Sequence, residues 1–266
     1  MFRRIARVVE RRQILWTLVQ RDLRVRYSRS ALGYLWTVLD PLLMASVYFV
    51  VFTYIFDASG RGVGDSPYFL FLLTGLLAWQ WFNSSMNDTA RSLIQEARLV
   101  RSTSLPRELW VVRVVFAKGI EFLLSLPILI AFAAYYVLAD KASLDWELVL
   151  FPLGILLQTV LLIGIGLILA PITVLVTDTQ RVVRIFLRLF FYLTPILYGQ
   201  HAVPGVMRPF LALNPLNGIL ELYRGGFFER SVHWGSVGIS VLVTLVLCAL
   251  GGLVFSRLER SVLKEI

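Results

Sequence analysis

The chain has one cysteine, two histidines and three lysines among its 266 residues, and only 16% of them are charged. Each scarcity excludes something. Cys248 has no second thiol to pair with, so no intrachain disulfide forms. His201 and His233 lack a Cys or paired-carboxylate companion and no H-E-x-x-H occurs, so both read as surface histidines. No G-x-x-x-x-G-K-[ST] loop is present, which removes nucleotide hydrolysis by that route. No G-x-S-x-G elbow occurs, and Asp140, Asp145 and Glu147 read as solvated turn residues rather than a catalytic carboxylate set. Low charge also excludes an ordinary soluble enzyme.

What fills the chain is apolar. Hydrophobic residues make up 58% and mean hydropathy is +0.74. Apolar runs of about 20 residues recur, the mark of a membrane protein. The first, Leu35–Phe56, has 22 residues and spans about 33 Å as helix, enough to cross a bilayer core. Arg21, Arg24, Arg26 and Arg29 crowd just before it and hold that end in the cytoplasm. Residues 1–34 are too charged for a signal-peptide core, so the first span is expected to be retained.

The remaining runs predict spans at Tyr68–Asp88, Leu109–Leu138, Leu148–Val176, Val182–Gly199 and Val237–Phe255. The net charge of +9 fits this layout better than it fits a nucleic-acid stripe. With six spans and both termini inside, 21 basic residues face the cytoplasm and five face out. Residues 2–28 predict an amphipathic helix, suited to the headgroup layer or to packing on soluble protein, and the span that follows favours the first. Residues 200–236 are punctuated by Pro and Gly. Val206–Leu213 and Leu216–Phe228 are too short to cross and suit re-entrant half-helices on the outer side.

Polar residues inside apolar runs carry the functional hints. Asp40, before Pro41, is either a cap on a helix break or a group facing a wet path. Glu221 and Arg224, three apart, are expected to pair. Aromatics gather on the first span (Tyr48, Phe52) and the fifth (Phe191, Tyr198), as lipid-facing bulk or as flat platforms for sugar rings. The fifth span is broken by Pro195 and footed by Arg188, and an interrupted span points to a transport route. Tyr48 and Phe52 on one helix, and Phe191, Pro195 and Tyr198 on the other, are therefore expected to line a channel between two copies. Arg188 would meet a phosphate there or anchor the helix in the headgroups. The longest inner loop, Ser92–Arg101, mixes apolar and charged residues like a docking surface. Its candidates are Leu93, Gln95, Glu96, Arg98, Leu99 and Arg101.

Three strings in series, RDLRVRYSRSALGYLWTVLDPLL, LVRSTSLPRELW and LYGQHAVPGVMRPFLALNPLNGILELYRGGFF, resemble the ABC-2 type permeases that export O-antigen, capsule, teichoic acid and related glycans. The resemblance covers nearly the whole chain. It implies an all-α integral membrane protein of the bacterial inner (plasma) membrane, with residues 1–34 as the interfacial segment, 35–256 as the six-span domain and 257–266 as a cytoplasmic tail. It implies a homodimer, two ATP-binding cassette subunits that carry the ATP and Mg, a lipid-linked glycan as substrate, and no cofactor or nucleic acid on this chain. An exporter of a small lipid or drug, and an integral-membrane glycosyl- or acyltransferase, are the alternatives.

Overall fold

A computed structural model describes residues 10–28, 32–55, 67–142, 144–199, 203, 205–207, 211–228 and 232–266. Among them there is no strand. The helices are α1 (Arg12–Tyr27), α2 (Trp36–Val50), α3 (Tyr68–Gln95), α4 (Ala97–Ser102), α5 (Glu108–Leu138), α6 (Phe151–Leu175), α7 (Thr179–Leu193), α8 (Pro215–Arg224) and α9 (Trp234–Glu265). A 3-10 turn, Gly33–Leu35, leads into α2, and a π-helical turn, Val51–Ile55, extends it. Another 3-10 turn, Trp146–Leu150, leads into α6, whose start is set by Pro152.

Four segments are long and apolar enough to cross a bilayer: Gly33–Ile55, Glu108–Leu138, Trp146–Leu175 and Trp234–Glu265. The other two expected spans come out differently. α3 runs 28 residues, seven past the expected end at Asp88, and its second half is polar. α7 has 15 residues, or about 22 Å of helix. Where the interfacial helix was expected a helix stands, α1, with the residues before 10 outside the described ones. Of the two expected half-helices, the second, Leu216–Phe228, overlaps α8, which ends at Arg224. The first falls largely on undescribed residues, with only a 3-10 turn at Gly205–Met207 and the stretch from 211 described.

α3 is the hub. It packs on α2, α5, α6, α7 and α8, and every residue from Tyr68 to Ala78 is buried. A continuous buried stretch of that length anchors the bundle through close packing, since between apolar helices in a membrane van der Waals contact and interhelical hydrogen bonds, rather than exclusion of water, hold the helices together. Side chains add polar ties. Gln158 on α6, wholly buried, donates through Nε2 to Ala78 O at 2.9 Å and accepts at Oε1 from the Tyr223 hydroxyl at 2.9 Å. Three helices thus meet at one amide with both ends satisfied, as burial demands. The largest helix pair is α6 with α9, which approach closest where Gly164 faces Gly251. A Cβ on Gly251 would strike the Gly164 carbonyl oxygen, so the crossing needs small residues.

α7 ends for a local reason. Thr194 precedes Pro195 and takes an extended conformation (φ −98°, ψ 135°), as the ring of a following proline requires. α8 starts with Asn214 as its cap, its side chain accepting from Leu216 N at 2.9 Å, and Pro215 in the first turn. Its ten residues are nearly all buried against α3, α6 and α9. Glu221 and Arg224 were expected to pair, and the Glu221 charge does act on the guanidinium. The hydrogen bonds of Arg224 go to carbonyls, Pro195 O (2.7 Å), Phe71 O (3.2 Å) and Ile196 O (3.3 Å), and its guanidinium sits 3.5 Å from the Phe71 ring centroid. One planar group with five donors holds the end of α7, the start of α3 and α8 together.

Candidate functional site

A cleft of about 440 Å³ opens between α2, α3 and α7. Each wall has a different character. α7 is strongly one-sided: Val183, Leu187 and Phe191, four apart, are buried on the bundle, while Arg184 and Arg188, also four apart, stay exposed at the rim. Neither arginine has an ion-pair or hydrogen-bond partner among the described residues. α2 supplies Pro41, Met44 and Tyr48. α3 supplies Leu76, Trp79, Gln80, Asn83 and Asn87, a single helical stripe at spacings of three and four.

The floor is aromatic. Tyr48 stacks on Phe191 with centroids 5.9 Å apart, and Trp79 meets Phe191 edge-on at 5.3 Å. Tyr192 lies against Phe191 at 5.3 Å. Above the floor the α3 stripe is hydrogen-bonding: Asn87 Nδ2 donates to Asn83 O at 2.9 Å and to Asn83 Oδ1 at 3.3 Å. Rings beside side-chain amides with hydrogen-bonding capacity to spare and two guanidiniums without partners among the described residues can pack on sugar faces, bind hydroxyls and attract a phosphate group.

The expected channel residues divide here. Tyr48, Arg188 and Phe191 converge in the cleft. Phe52 lies next to Tyr48, centroids 6.4 Å apart, and packs partly into the core. Pro195 and Tyr198 do not share a helix face with Phe191, contrary to expectation, because α7 ends at Leu193. Pro195 is buried with its carbonyl bound by Arg224, and Tyr198 folds back to donate its hydroxyl to Tyr192 O at 2.9 Å. The α3 wall was not foreseen as a site. Its polar residues were visible in the sequence, and their three-to-four spacing was the available signal.

The segment Ser92–Arg101, expected as a docking surface, is more enclosed than expected. α3 continues to Gln95, the chain breaks at Glu96, and α4 follows. Gln95, Arg98 and Arg101 are exposed and Leu99 is half-buried. Leu93 is buried in a cluster with Val100, Trp110, Val111 and Phe255 and so is not presented for docking. Glu96 turns inward to Arg21 and Arg113. It belongs to a charge cluster around a cleft of about 520 Å³ between α1, α3 and α5. Burial and the Glu121 carboxylate push the Tyr27 phenol at the end of α1 well above its ordinary pKa. Among the described residues no group of three or more His, Cys, Asp or Glu is placed to hold a metal ion.

The family model described as ABC-2 type transporter matches residues 13–228. An O-antigen export system permease, RfbA, of Klebsiella pneumoniae is 30% identical over 246 residues, 92% of each chain. RfbA of Myxococcus xanthus is 32% identical over 232 residues, 86% of each chain. The polysialic acid transport protein KpsM of Escherichia coli is 27% identical over 241 residues, 86% of this chain and 88% of the relative.

Proposed function

The chain belongs to the ABC-2 type transporter membrane family, and on that premise we propose that it is the permease subunit of an ATP-driven exporter that moves a lipid-linked polysaccharide across the inner membrane. The observation that carries this reading is the α2–α3–α7 cleft, aromatic below and amide- and arginine-rimmed above, in a chain similar along nearly its full length to O-antigen permeases. Sugar rings need flat apolar faces and many weak hydrogen bonds, and the cleft supplies both.

The finer features follow as parts of the same proposal. α3 and α7 complete six crossings, with both termini in the cytoplasm. The charged α1 lies at the inner interface as the separate segment 1–34, the domain 35–256 crosses the membrane and the tail 257–266 stays inside. α8 enters from the outer side and turns back, shielded by α3, α6 and α9, which suits ten buried residues that cannot cross. Two copies enclose the pathway, because the cleft is open and α2 leaves Leu43, Met44, Val47 and Val50 exposed. ATP and Mg are held by a separate cassette subunit that binds around Gln95, Arg98 and Arg101.

Deletion of the gene tests the reading. Lipid-linked glycan is expected to accumulate at the cytoplasmic face and to vanish from the cell surface, with restoration by the unaltered chain. Normal surface glycan in the deletion would refute an export role. Loss of glycan synthesis, without accumulation, would point to a transferase.

A further inference from the structure

Glu96 stands at the break between the buried helix α3 and the exposed segment α4. Its carboxylate meets arginines from two other helices, Arg21 of α1 and Arg113 of α5, the latter through Nη2 at 3.2 Å. Arg113 uses its other terminal nitrogen, Nη1, on Asp22 of α1 at 2.9 Å. One guanidinium, its side chain 4% exposed, therefore bridges carboxylates on two elements. Further along α1, Arg26 reaches Asp88 of α3 at 2.7 Å and Glu121 of α5 at 3.4 Å. Lys118, equally enclosed, holds the same two carboxylates at 3.5 and 2.9 Å.

These charges do what apolar contact does not. α1 buries only Val19 and Leu23, and its apolar cluster adds only Ala117 as a buried member. Exposed ion pairs contribute little, but removing one partner of a buried pair leaves an uncompensated charge and is strongly felt. α1 is thus fixed to the bundle mainly at two charged stations, and the first includes the residue that begins α4. Downstream, eight residues join Tyr27 to Trp36. α2 itself is loosely held: only Pro41 and Ala45 are buried, yet it carries Tyr48 of the cleft floor.

Resting on the exporter reading above, we propose that Glu96, Arg113, Arg21 and Asp22 form a joint that delivers displacement of α4 by the ATPase to α1, and through α1 to the cleft wall on α2. The four are positioning residues: none lines the cleft. The guanidinium fork matters because its two terminal nitrogens set the directions of the two carboxylates, whereas an ammonium that touches two, as Lys118 does, leaves their directions free. Without the joint, α4 would move against a stationary α1, and hydrolysis would proceed without opening the cleft.

The test uses the chain co-purified with its ATPase and reconstituted in liposomes, reading assembly, melting temperature, ATP hydrolysis and glycan transported. Glu96→Arg and Arg21→Glu, singly, are expected to keep the ATPase bound and hydrolysing while glycan moved per ATP falls about tenfold, the scale at which contacting residues couple. The double swap Arg21→Glu with Glu96→Arg restores opposite charges between positions 21 and 96 but sets a second arginine against Arg113, so it is expected to recover only part of that ratio. Arg113→Lys, which keeps the charge and loses the fork, is expected to lower the ratio in protein that still folds and assembles, at a somewhat lower melting temperature. An unchanged ratio in folded and assembled Arg113→Lys, or in both single charge reversals, overturns the joint and leaves the exporter reading standing. Failure of the unaltered chain to bind any ATPase overturns that reading and the joint with it.

Discussion

Asn214 donates through Nδ2 to Thr194 Oγ1 at 2.9 Å while its own Oδ1 accepts from Leu216 N at 2.9 Å. One amide therefore closes the end of α7 and caps the start of α8. Thr194 passes the bond on, its hydroxyl donating to Phe190 O at 2.8 Å. The cleft-bearing helix and the buried short helix are set relative to one another by this chain of three bonds.

Asn214→Ala removes the cap and leaves a buried hydroxyl with one partner fewer. Loss of an N-cap costs about 1 kcal/mol and an unsatisfied buried polar group about 1–3 kcal/mol. The expected outcome is a lower melting temperature in detergent and faster proteolysis between α7 and α8. Asn214→Asp keeps the acceptor for Leu216 N and loses the donor to Thr194, so it should fall between the two. Equal stability of all three chains would show that the amide does not join the helices.

Arg184 and Arg188 sit free at the cleft rim, so their removal should touch transport and spare the fold. Surface changes away from buried features are usually within about 0.5 kcal/mol. The pair changed to Gln is expected to melt with the unaltered chain and to export at least about tenfold less, the effect of losing roughly 1.4 kcal/mol of interaction with a charged group. Normal export in the double variant would remove both from the pathway and leave them as anchors in the headgroups.

Orientation is checked with single cysteines in a Cys248→Ser background. A thiol at Lys141, in the exposed turn after α5, should react with an impermeant reagent on intact cells. Thiols at Arg101 and at Lys264 should react only after permeabilisation. Labelling of Lys264→Cys from outside would place the C-terminus out and break the six-span arrangement.

Much of this fold is legible in the residues, and the parts that are not share a cause. The four long apolar helices follow from hydropathy alone, the first three within two residues at each end and the last within three at its start and ten at its end. Pro195 announced a break, and the break is there. The helix it ends then cannot carry Phe191, Pro195 and Tyr198 on one face, a consequence that spacing rules miss when they are run through a proline. Glu96 read as a docking residue because nothing local pairs with it. Its partner Arg21 is 75 positions away, and separation of that kind is invisible to periodicity. Leu93 is hidden for the same reason, since Trp110 and Phe255 close over it from distant segments. The α3 wall was missed differently: a polar end of a span such as Gln80, Asn83 and Asn87 has many uses until the helices facing it are known.

That wall decides whether the cleft is a pathway. Gln80, Asn83 and Asn87 form a ladder that faces α7, not the core, and it stands across from Tyr48. In a helix surrounded by lipid such amides would be costly. In a wet cleft they remain free to exchange hydrogen bonds with passing hydroxyls, each too weak to trap a sugar. Single cysteines at Tyr48 and at Asn83, again in a Cys248→Ser background, should therefore react with a bulky hydrophilic thiol reagent, and modification should stop export. A cysteine at Leu124, exposed on α5 away from the cleft, should react only with lipid-soluble reagents and leave export unchanged. Asn83→Leu with Asn87→Leu keeps approximate side-chain size and removes the amides. It should leave the melting temperature within a few degrees, since both groups are only half-buried, and slow export. Hydrophilic access at Leu124 but not at Tyr48 or Asn83 would turn the bundle around, with the water-facing path on the α5 side and the aromatic floor against lipid.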